Sequence, residues 1–319
     1  MKKRAVVIVG PTASGKTSLG VYVAEKFNGE VISADSMQIY KGMAISTAKP
    51  TPEEMRGIKH HLIDFIDITD KYSVSSYCED ARRCFNDITA RGKLPVLVGG
   101  TGLYVDSFLT NTRFLENASS QQIREQLDEE LKEKGIEEMY LQLKMVDPVA
   151  AERIHPNNTV RVLRALEVYR TTGSTITEQA ELSHLVESDI DPLYIGITYN
   201  DREKLYDRIN RRVDLMVENG LVEEAKDVFS KDISKTAFNS IGCKEIKPYI
   251  DGEATLGECL EKLKLSTRRY AKRQLTWFRR NEKINWVHPD LLQDSLYDKV
   301  DYLINSYLAG DDVGKKTQK

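Results

Sequence analysis

Ala5-Val-Val-Ile-Val-Gly10-Pro-Thr-Ala-Ser-Gly15-Lys-Thr17 is a short apolar strand running into a full G-x-x-x-x-G-K-[ST] loop, and a helical pattern follows from Lys16 to Phe27. Such a loop works by geometry. Gly10 and Gly15 let the chain curl so that successive backbone N–H groups point inward. The new helix adds its positive end, Lys16 a mobile cation, and Thr17 a hydroxyl that suits Mg2+. Gly10, Pro11, Thr12, Ala13, Ser14, Gly15, Lys16 and Thr17 are therefore the candidate diphosphate- or nucleotide-binding residues. The loop grips a polyphosphate without saying which one.

Strand and helix signals alternate over the first hundred residues. Glu30-Val-Ile-Ser-Ala-Asp35 reads as a second strand, His61-Leu-Ile-Asp-Phe-Ile66 as a third and Leu94-Pro-Val-Leu-Val98 as a fourth, with a helix over 75–91. Apolar strands alternating with helices imply an α/β fold: a P-loop NTPase-like parallel sheet with helices on both faces. Ligands sit beyond the carboxyl ends of such strands. That rule gathers the phosphate loop, the 35–40 stretch and Gly99-Gly-Thr-Gly102 around one crevice.

After Leu115 the pattern becomes helical and heavily charged, with helices expected over 121–134 and 160–170, until a strand signal returns at Leu193-Tyr-Ile-Gly-Ile-Thr198. The expected organisation is a catalytic core from residues 1–115 and 188–310, with a helical C-terminal part and a last strand at 284–287. A helical insertion fills 116–187, and 311–319 is expected to be a disordered tail. The apolar content of 40% supports a packed core. No apolar run reaches the roughly 20 residues of a bilayer span, and the basic start Met1-Lys-Lys-Arg4 leads into too short an apolar stretch for a signal peptide. Cys78, Cys84, Cys243 and Cys259 form no C-x-x-C pair, which argues against a disulfide framework or zinc site and for a reducing cytoplasm. Nothing demands more than a monomer.

The net charge of −3 hides a polarised chain. Residues 262–283 hold nine Lys or Arg against Glu282, so this stretch carries +8 and the remainder −11. On a helix, Leu263, Tyr270 and Trp277 recur at seven as an inward stripe, while Arg269, Lys272, Arg273, Thr276 and Arg280 crowd the other side. A solvated face mixes signs, whereas this one has a single sign, as nucleic-acid phosphates require. Other positions stay open on residues alone. Asp35 is either a turn residue or a group that accepts a proton or binds Mg2+ through water. Thr101 belongs to a glycine turn that frees the strand from the sheet or touches a ligand. Arg161 and Arg164 share a helical face suited equally to ion pairs, and Arg124 is as ambiguous. Arg208 and Arg212, four apart, can clamp a pyrophosphate.

Taken together, Gly10–Thr17, Ser33-Ala-Asp-Ser-Met-Gln-Ile-Tyr40, Val98-Gly-Gly-Thr-Gly-Leu-Tyr104, Arg161-Val-Leu-Arg-Ala-Leu-Glu167, Arg212-Val-Asp-Leu-Met216, Ser240-Ile-Gly-Cys-Lys-Glu245 and Ala271-Lys-Arg-Gln-Leu-Thr-Trp-Phe278 resemble the tRNA dimethylallyltransferases, also called tRNA isopentenyltransferases. The resemblance runs from Ala5 to Val287. One departure is Cys243, where the family commonly has Tyr, and the zinc-finger extension of eukaryotic members is absent, which points to the bacterial branch. The resemblance implies transfer of a dimethylallyl group from dimethylallyl diphosphate to N6 of adenine 37, beside the tRNA anticodon, with release of diphosphate and with Mg2+ as cofactor. It implies catalytic roles for Asp35, Thr101, Lys16 and Arg212 or Arg208. It implies that the 116–187 insertion binds tRNA, and it assigns contacts with the anticodon stem-loop to Asp35, Ser36, Met37, Gln38, Thr101, Arg124 and the segment Thr159, Val160, Arg161, Val162, Leu163. Further contacts are implied for Ser240, Ile241, Gly242, Cys243, Lys244 and Glu245, and for Lys272, Arg273, Gln274, Thr276 and Trp277. The competing classes are a small-molecule kinase, a prenyltransferase acting on free adenine nucleotides, and a non-catalytic RNA-binding ATPase.

Overall fold

A computed structural model describes residues 2–112, 121–184 and 188–310, so the tail expected at 311–319 lies outside the described residues. The chain divides into two compact units, one drawn from Met1–Leu109 with Asp189–Lys319 and the other from Thr110–Ser188. The first unit opens with β1 (Lys3–Val9), α1 (Lys16–Lys26), β2 (Gly29–Ala34), α2 (Pro52–Met55), β3 (His60–His61), α3 (Val74–Ala90), β4 (Leu94–Gly99) and α4 (Gly102–Leu109). The second unit comprises α5 (Gln121–Val146), α6 (Pro148–Arg153), α7 (Thr159–Thr172) and α8 (Ile176–His184). The first unit then resumes with β5 (Ile190–Ile197), α9 (Arg202–Glu218), α10 (Leu221–Phe229), α11 (Lys235–Phe238), α12 (Cys243–Ile250), α13 (Leu256–Phe278), β6 (Asn285–Val287), α14 (Pro289–Leu292) and α15 (Leu296–Ala309).

The described strands form one wholly parallel sheet in the order β3-β2-β4-β1-β5-β6. Successive side chains alternate between its faces. Val7, Val9, Ile32 and Leu97 pack with Tyr77, Phe85 and Phe108 of α3 and α4. Val6, Ile8, Val96 and Ile195 pack with Leu19 and Val23 of α1 and with Val300 and Leu303 of α15. Because both faces are buried, β1 reads as an unbroken apolar run. The register matters most for the site. Val9 and Ala34 both lie opposite Gly99, and Val9 also lies opposite Gly196. The loops that begin at Gly10, Asp35 and Gly100 therefore leave the sheet at one level.

A separate core joins the 39–43 segment to α10, α12 and α13 through Ile39, Tyr40, Met43, Leu221, Ile246 and Leu263. The Glu224 carboxylate accepts the N–H groups of Ile45 (2.7 Å) and Ser46 (2.8 Å), pinning the following loop to α10. The Arg82 guanidinium grips both points where the sheet unit is interrupted: it donates to Asp189 Oδ1 (2.7 Å) and to the Phe108 carbonyl (3.4 Å). The second unit has its own core of Leu127, Met139, Leu143, Val162 and Leu166.

Several expected elements differ. The third strand is only His60–His61, because Leu62 (φ 62°) and Asp64 (φ 56°) adopt left-handed conformations that turn the chain out of an extended run. The helix expected over 121–134 does end there, at the non-helical Gly135 (φ 76°), but an unexpected second helical stretch follows it to Val146. The inward stripe of α13 also shifts. Leu263 is buried, but Tyr270 and Trp277 are half-buried, and Ala271, Gln274 and Phe278 lie deepest. A seven-residue repeat drifts about 20° per heptad on a straight helix, so burial moves one residue along.

At the start of β2, Glu30 is only 3% exposed and accepts from Arg91 (2.5 and 2.7 Å), Lys93 (2.8 Å) and His61 Nε2 (2.8 Å). The Arg91 guanidinium holds this carboxyl far below the usual range against the opposing effect of burial, and Lys93 and His61 reinforce it. Glu30→Gln should cost about 2 kcal/mol at neutral pH, less than a fully sealed pair because Arg91 and Lys93 keep contact with solvent. A depressed carboxyl stabilises above its unfolded pKa of about 4.3 and loses that contribution as pH falls toward the folded value. Urea denaturation should thus show a gap between the two proteins at pH 7 that narrows at pH 3.5.

Candidate active site and nucleic-acid face

The phosphate loop joins β1 to α1. Gly10 has φ 150° and passes so close to the Ile197 carbonyl that a side chain there would collide with it. At the start of α1 the N–H groups of the first turn have no partner within the helix and form a ready cradle for an anion. Ser14, 1% exposed, lines the cleft with a hydroxyl that has no hydrogen-bond partner among the described residues. The Lys16 ammonium donates to the Pro11 carbonyl (2.7 Å). Burial, then the charge of Arg212, pull its pKa down to about 7, with Asp35 opposing.

Both arginine candidates of α9 reach the loop. Arg212 Nη1 donates to Thr12 Oγ1 (2.9 Å) and Nη2 to the Ala48 carbonyl (3.4 Å). Arg212 is half-buried, and burial lowers its pKa against the pull of Asp35 and Glu54. Arg208 is exposed, donates through Nε to the Ala13 carbonyl (2.9 Å) and lies over the Tyr199 ring. The sheet's flush edge and these two side chains enclose a cleft of about 1100 Å³, walled by the phosphate loop, Asp35–Gln38, the 44–51 loop, α9 and α13.

Asp35 is a turn residue at the mouth of the cleft. Its Oδ1 accepts the N–H groups of Met37 (2.9 Å) and Gln38 (3.3 Å), which shapes the turn, while Oδ2 faces no protein partner among the described residues. Thr101 accepts the Ser36 N–H on its hydroxyl (3.0 Å) and donates its own N–H to the Ala34 carbonyl (3.1 Å). Its hydroxyl holds the turn that carries Asp35 and lies beside that of Tyr270 on the cleft wall. Gln38 lines the cleft and donates to the carbonyls of Thr47 (3.3 Å) and Ala48 (3.1 Å).

The other expected RNA contacts fall into distinct groups. Ser36, Met37, Ser240, Ile241, Lys244 and Arg273 line the cleft. Cys243 is buried against Ile246 and its neighbours, and Glu245 is buried while accepting the Gly242 N–H (3.0 Å), so these positions are taken up by packing and helix capping. Gln274 is 5% exposed and bonded to backbone on two sides. Trp277 donates Nε1 to Asp106 (2.7 Å), and its ring lies where a side chain at residue 102 would be, which is why that position is glycine. Both side chains are therefore tied into the protein. The face outside them is the available one: Arg269, Lys272, Arg273, Thr276 and Arg280 are exposed, and among the described residues none of the four bases is ion-paired. In the second unit, Arg124 pairs with Glu167, which also binds Arg164 (2.8 Å). Val162 is buried and Leu163 packs beside it, whereas Thr159 is half-buried and Val160 and Arg161 are exposed at the start of α7. The sequence pattern passed over Tyr270, whose hydroxyl lies beside Thr101 and Gln274 on the cleft wall, and the 44–50 loop, which carries no motif.

Known proteins resemble this chain over nearly its whole length. The model of the IPP transferase family matches residues 38–281. The tRNA dimethylallyltransferase of Thermoanaerobacter sp. is 46% identical over 313 residues, covering 97% of this chain and 99% of that protein. The crystal structure of the full-length tRNA isopentenylpyrophosphate transferase from Bacillus halodurans is 43% identical, with a TM-score of 0.70 over 97% of this chain and 96% of that one. A eukaryotic dimethylallyltransferase captured acting on tRNA is 30% identical, with a TM-score of 0.85 over 98% of this chain and 81% of that one.

With its pKa near 7, Lys16 is partly neutral in the empty cleft above neutral pH. A bound polyphosphate anion favours the charged ammonium and raises that pKa. Binding of inorganic diphosphate should therefore take up protons above pH 7, and affinity should fall, by up to about tenfold per pH unit, between pH 7 and 9. Calorimetry in two buffers of different ionisation enthalpy measures the uptake. Uptake that persists in Lys16→Met would exclude this lysine as its source.

Proposed function

The chain belongs to the IPP transferase family, and from that premise we propose how its own residues carry dimethylallyl transfer to tRNA. The donor is dimethylallyl diphosphate, with its diphosphate in the loop of Gly10–Thr17 and its five-carbon group extending into the cleft. The acceptor is the exocyclic N6 of adenine 37 in the anticodon loop. The allylic carbon–oxygen bond breaks, the N6–carbon bond forms, the N6 proton passes to Asp35, and inorganic diphosphate leaves. The observation that carries this reading is the meeting, in one cleft, of Lys16 of the phosphate loop and Arg212 bonded to that loop with a carboxylate oxygen that has no partner among the described residues.

Charge gathers on the diphosphate as its bond to carbon weakens. Lys16, Arg212 and the first-turn amides of α1 are already in position to meet it, and preorganised stabilisation of this kind is commonly the largest catalytic term. The adenine N6 is a poor nucleophile because its lone pair is delocalised into the ring. Oδ2 of Asp35, accepting one N6 hydrogen, localises that pair toward the carbon. The Asx turn through Oδ1 fixes the carboxylate in one orientation. Thr17 lines the cleft next to Lys16, and its hydroxyl would hold Mg2+ there, with Asp35 reached through water. Such an ion supplies further neutralisation of the leaving group.

The target base must leave the stacked loop, at a cost of a few kcal/mol. The unpaired basic face of α13 offsets that cost by holding the anticodon stem-loop phosphates. The four cysteines are free thiols, as a reducing compartment would keep them, and no described helix is long and apolar enough to cross a membrane.

Incubation with labelled dimethylallyl diphosphate or labelled ATP, with tRNA or AMP as acceptor, tests the reading directly. Label should pass from the prenyl donor to tRNA, and label from ATP on any acceptor would favour a kinase. Asp35→Asn should lower the rate by about 10²–10⁴ with tRNA affinity nearly intact; normal turnover would remove Asp35 as the base. Lys272→Ala with Arg273→Ala should weaken tRNA binding and flatten its salt dependence by about one to two charges, read from log Kd against log salt.

A further inference from the structure

We infer that Gln274 is a positioning residue: its side-chain amide fixes the spacing between the phosphate loop and the turn that holds Asp35. The inference rests on the proposed donor site. Gln274 projects from α13 to the junction of the two loops. Its Oε1 accepts the Thr12 N–H (2.8 Å), and its Nε2 donates to the Gly100 carbonyl (3.0 Å). The partners fix the orientation of the amide, since a backbone N–H needs an acceptor and a carbonyl needs a donor.

Each end of this bridge leads to a reacting region. Thr12 is held a second time through its hydroxyl by Arg212, so its N–H and its side chain are both bonded within the protein. The Thr12 amide is thereby taken, which leaves the later amides of the loop and those of the first turn of α1 for the donor. Gly100 leads into Thr101, whose hydroxyl holds Ser36 next to Asp35. One amide thus sets how far the leaving-group cations stand from the proton acceptor. Glutamine is suited to the place because it offers an acceptor and a donor at this reach. Ionised glutamate offers only acceptors, and methionine offers no donor and only a weak acceptor.

The test compares Gln274→Glu and Gln274→Met with the unaltered protein between pH 6 and 8.5. Three quantities are measured: Kd for inorganic diphosphate, Kd for an anticodon stem-loop RNA, and kcat for prenyl transfer. At pH 8 the ionised glutamate repels the Gly100 carbonyl. Both variants should bind diphosphate about tenfold more weakly and lose about 10² in kcat, with RNA affinity unchanged. A buried glutamate titrates high, and once protonated it regains the missing donor. The Gln274→Glu deficit, taken as a ratio to the unaltered protein so that Lys16 cancels, should close toward pH 6, and the Gln274→Met deficit should not. A flat ratio for Gln274→Glu, a normal Gln274→Met, or RNA affinity falling in step with diphosphate affinity would overturn the assignment. Failure of the unaltered protein to bind diphosphate would instead sink the donor site itself, and this role with it.

Discussion

The flush ending of β2, β4, β1 and β5 is the constraint on which the site depends. Parallel pairing with Val9 and Ala34 both opposite Gly99 brings three loops off the sheet at one height. A one-residue slip in any of these pairings would also turn a buried strand's side chains to the wrong face, so the packing that stabilises the sheet also sets the level of the loops. Gly10, pressed against the Ile197 carbonyl, completes the arrangement by carrying the phosphate loop across the end of β5.

Cations and carboxylate stand in deliberate opposition above that edge. Lys16 and Arg212 are both destabilised as cations by burial and both supported by Asp35. Burial disfavours both charges, which suits the cleft to an anionic ligand. Arg269, Lys272 and Arg273 of α13 face outward with no ion pair among the described residues, while the same helix sends Leu263, Ala271, Gln274 and Phe278 inward.

Local patterns made much of this legible. The G-x-x-x-x-G-K-[ST] loop and the strand–helix alternation identified the sheet and the cradle, because a phosphate loop is built from neighbouring residues. Asp35 was visible only as a strand-end carboxylate; that one oxygen shapes a turn while the other is left over emerges from tertiary geometry. The basic side of α13 was legible as a run of one sign. The roles of Gln274 and Trp277 were not, since their partners, Thr12, Gly100 and Asp106, lie more than 160 residues away in the chain. The third strand failed because apolar composition at 61–66 carries no sign of the left-handed residues at 62 and 64.

The grip of Arg82 on Phe108 and Asp189 has a consequence for how this architecture can change. The two cut ends of the sheet unit are fastened to a single guanidinium, so the frame closes on itself at the point where the polypeptide departs and returns. The entropy of tying off the intervening length grows only slowly with its size. The interrupted stretch, with a core of its own, is thus open to enlargement, shrinkage or exchange over evolutionary time. Helix α13 has no such latitude, because every residue on its outer side is borne by a rod whose inner side is the floor of the reaction chamber.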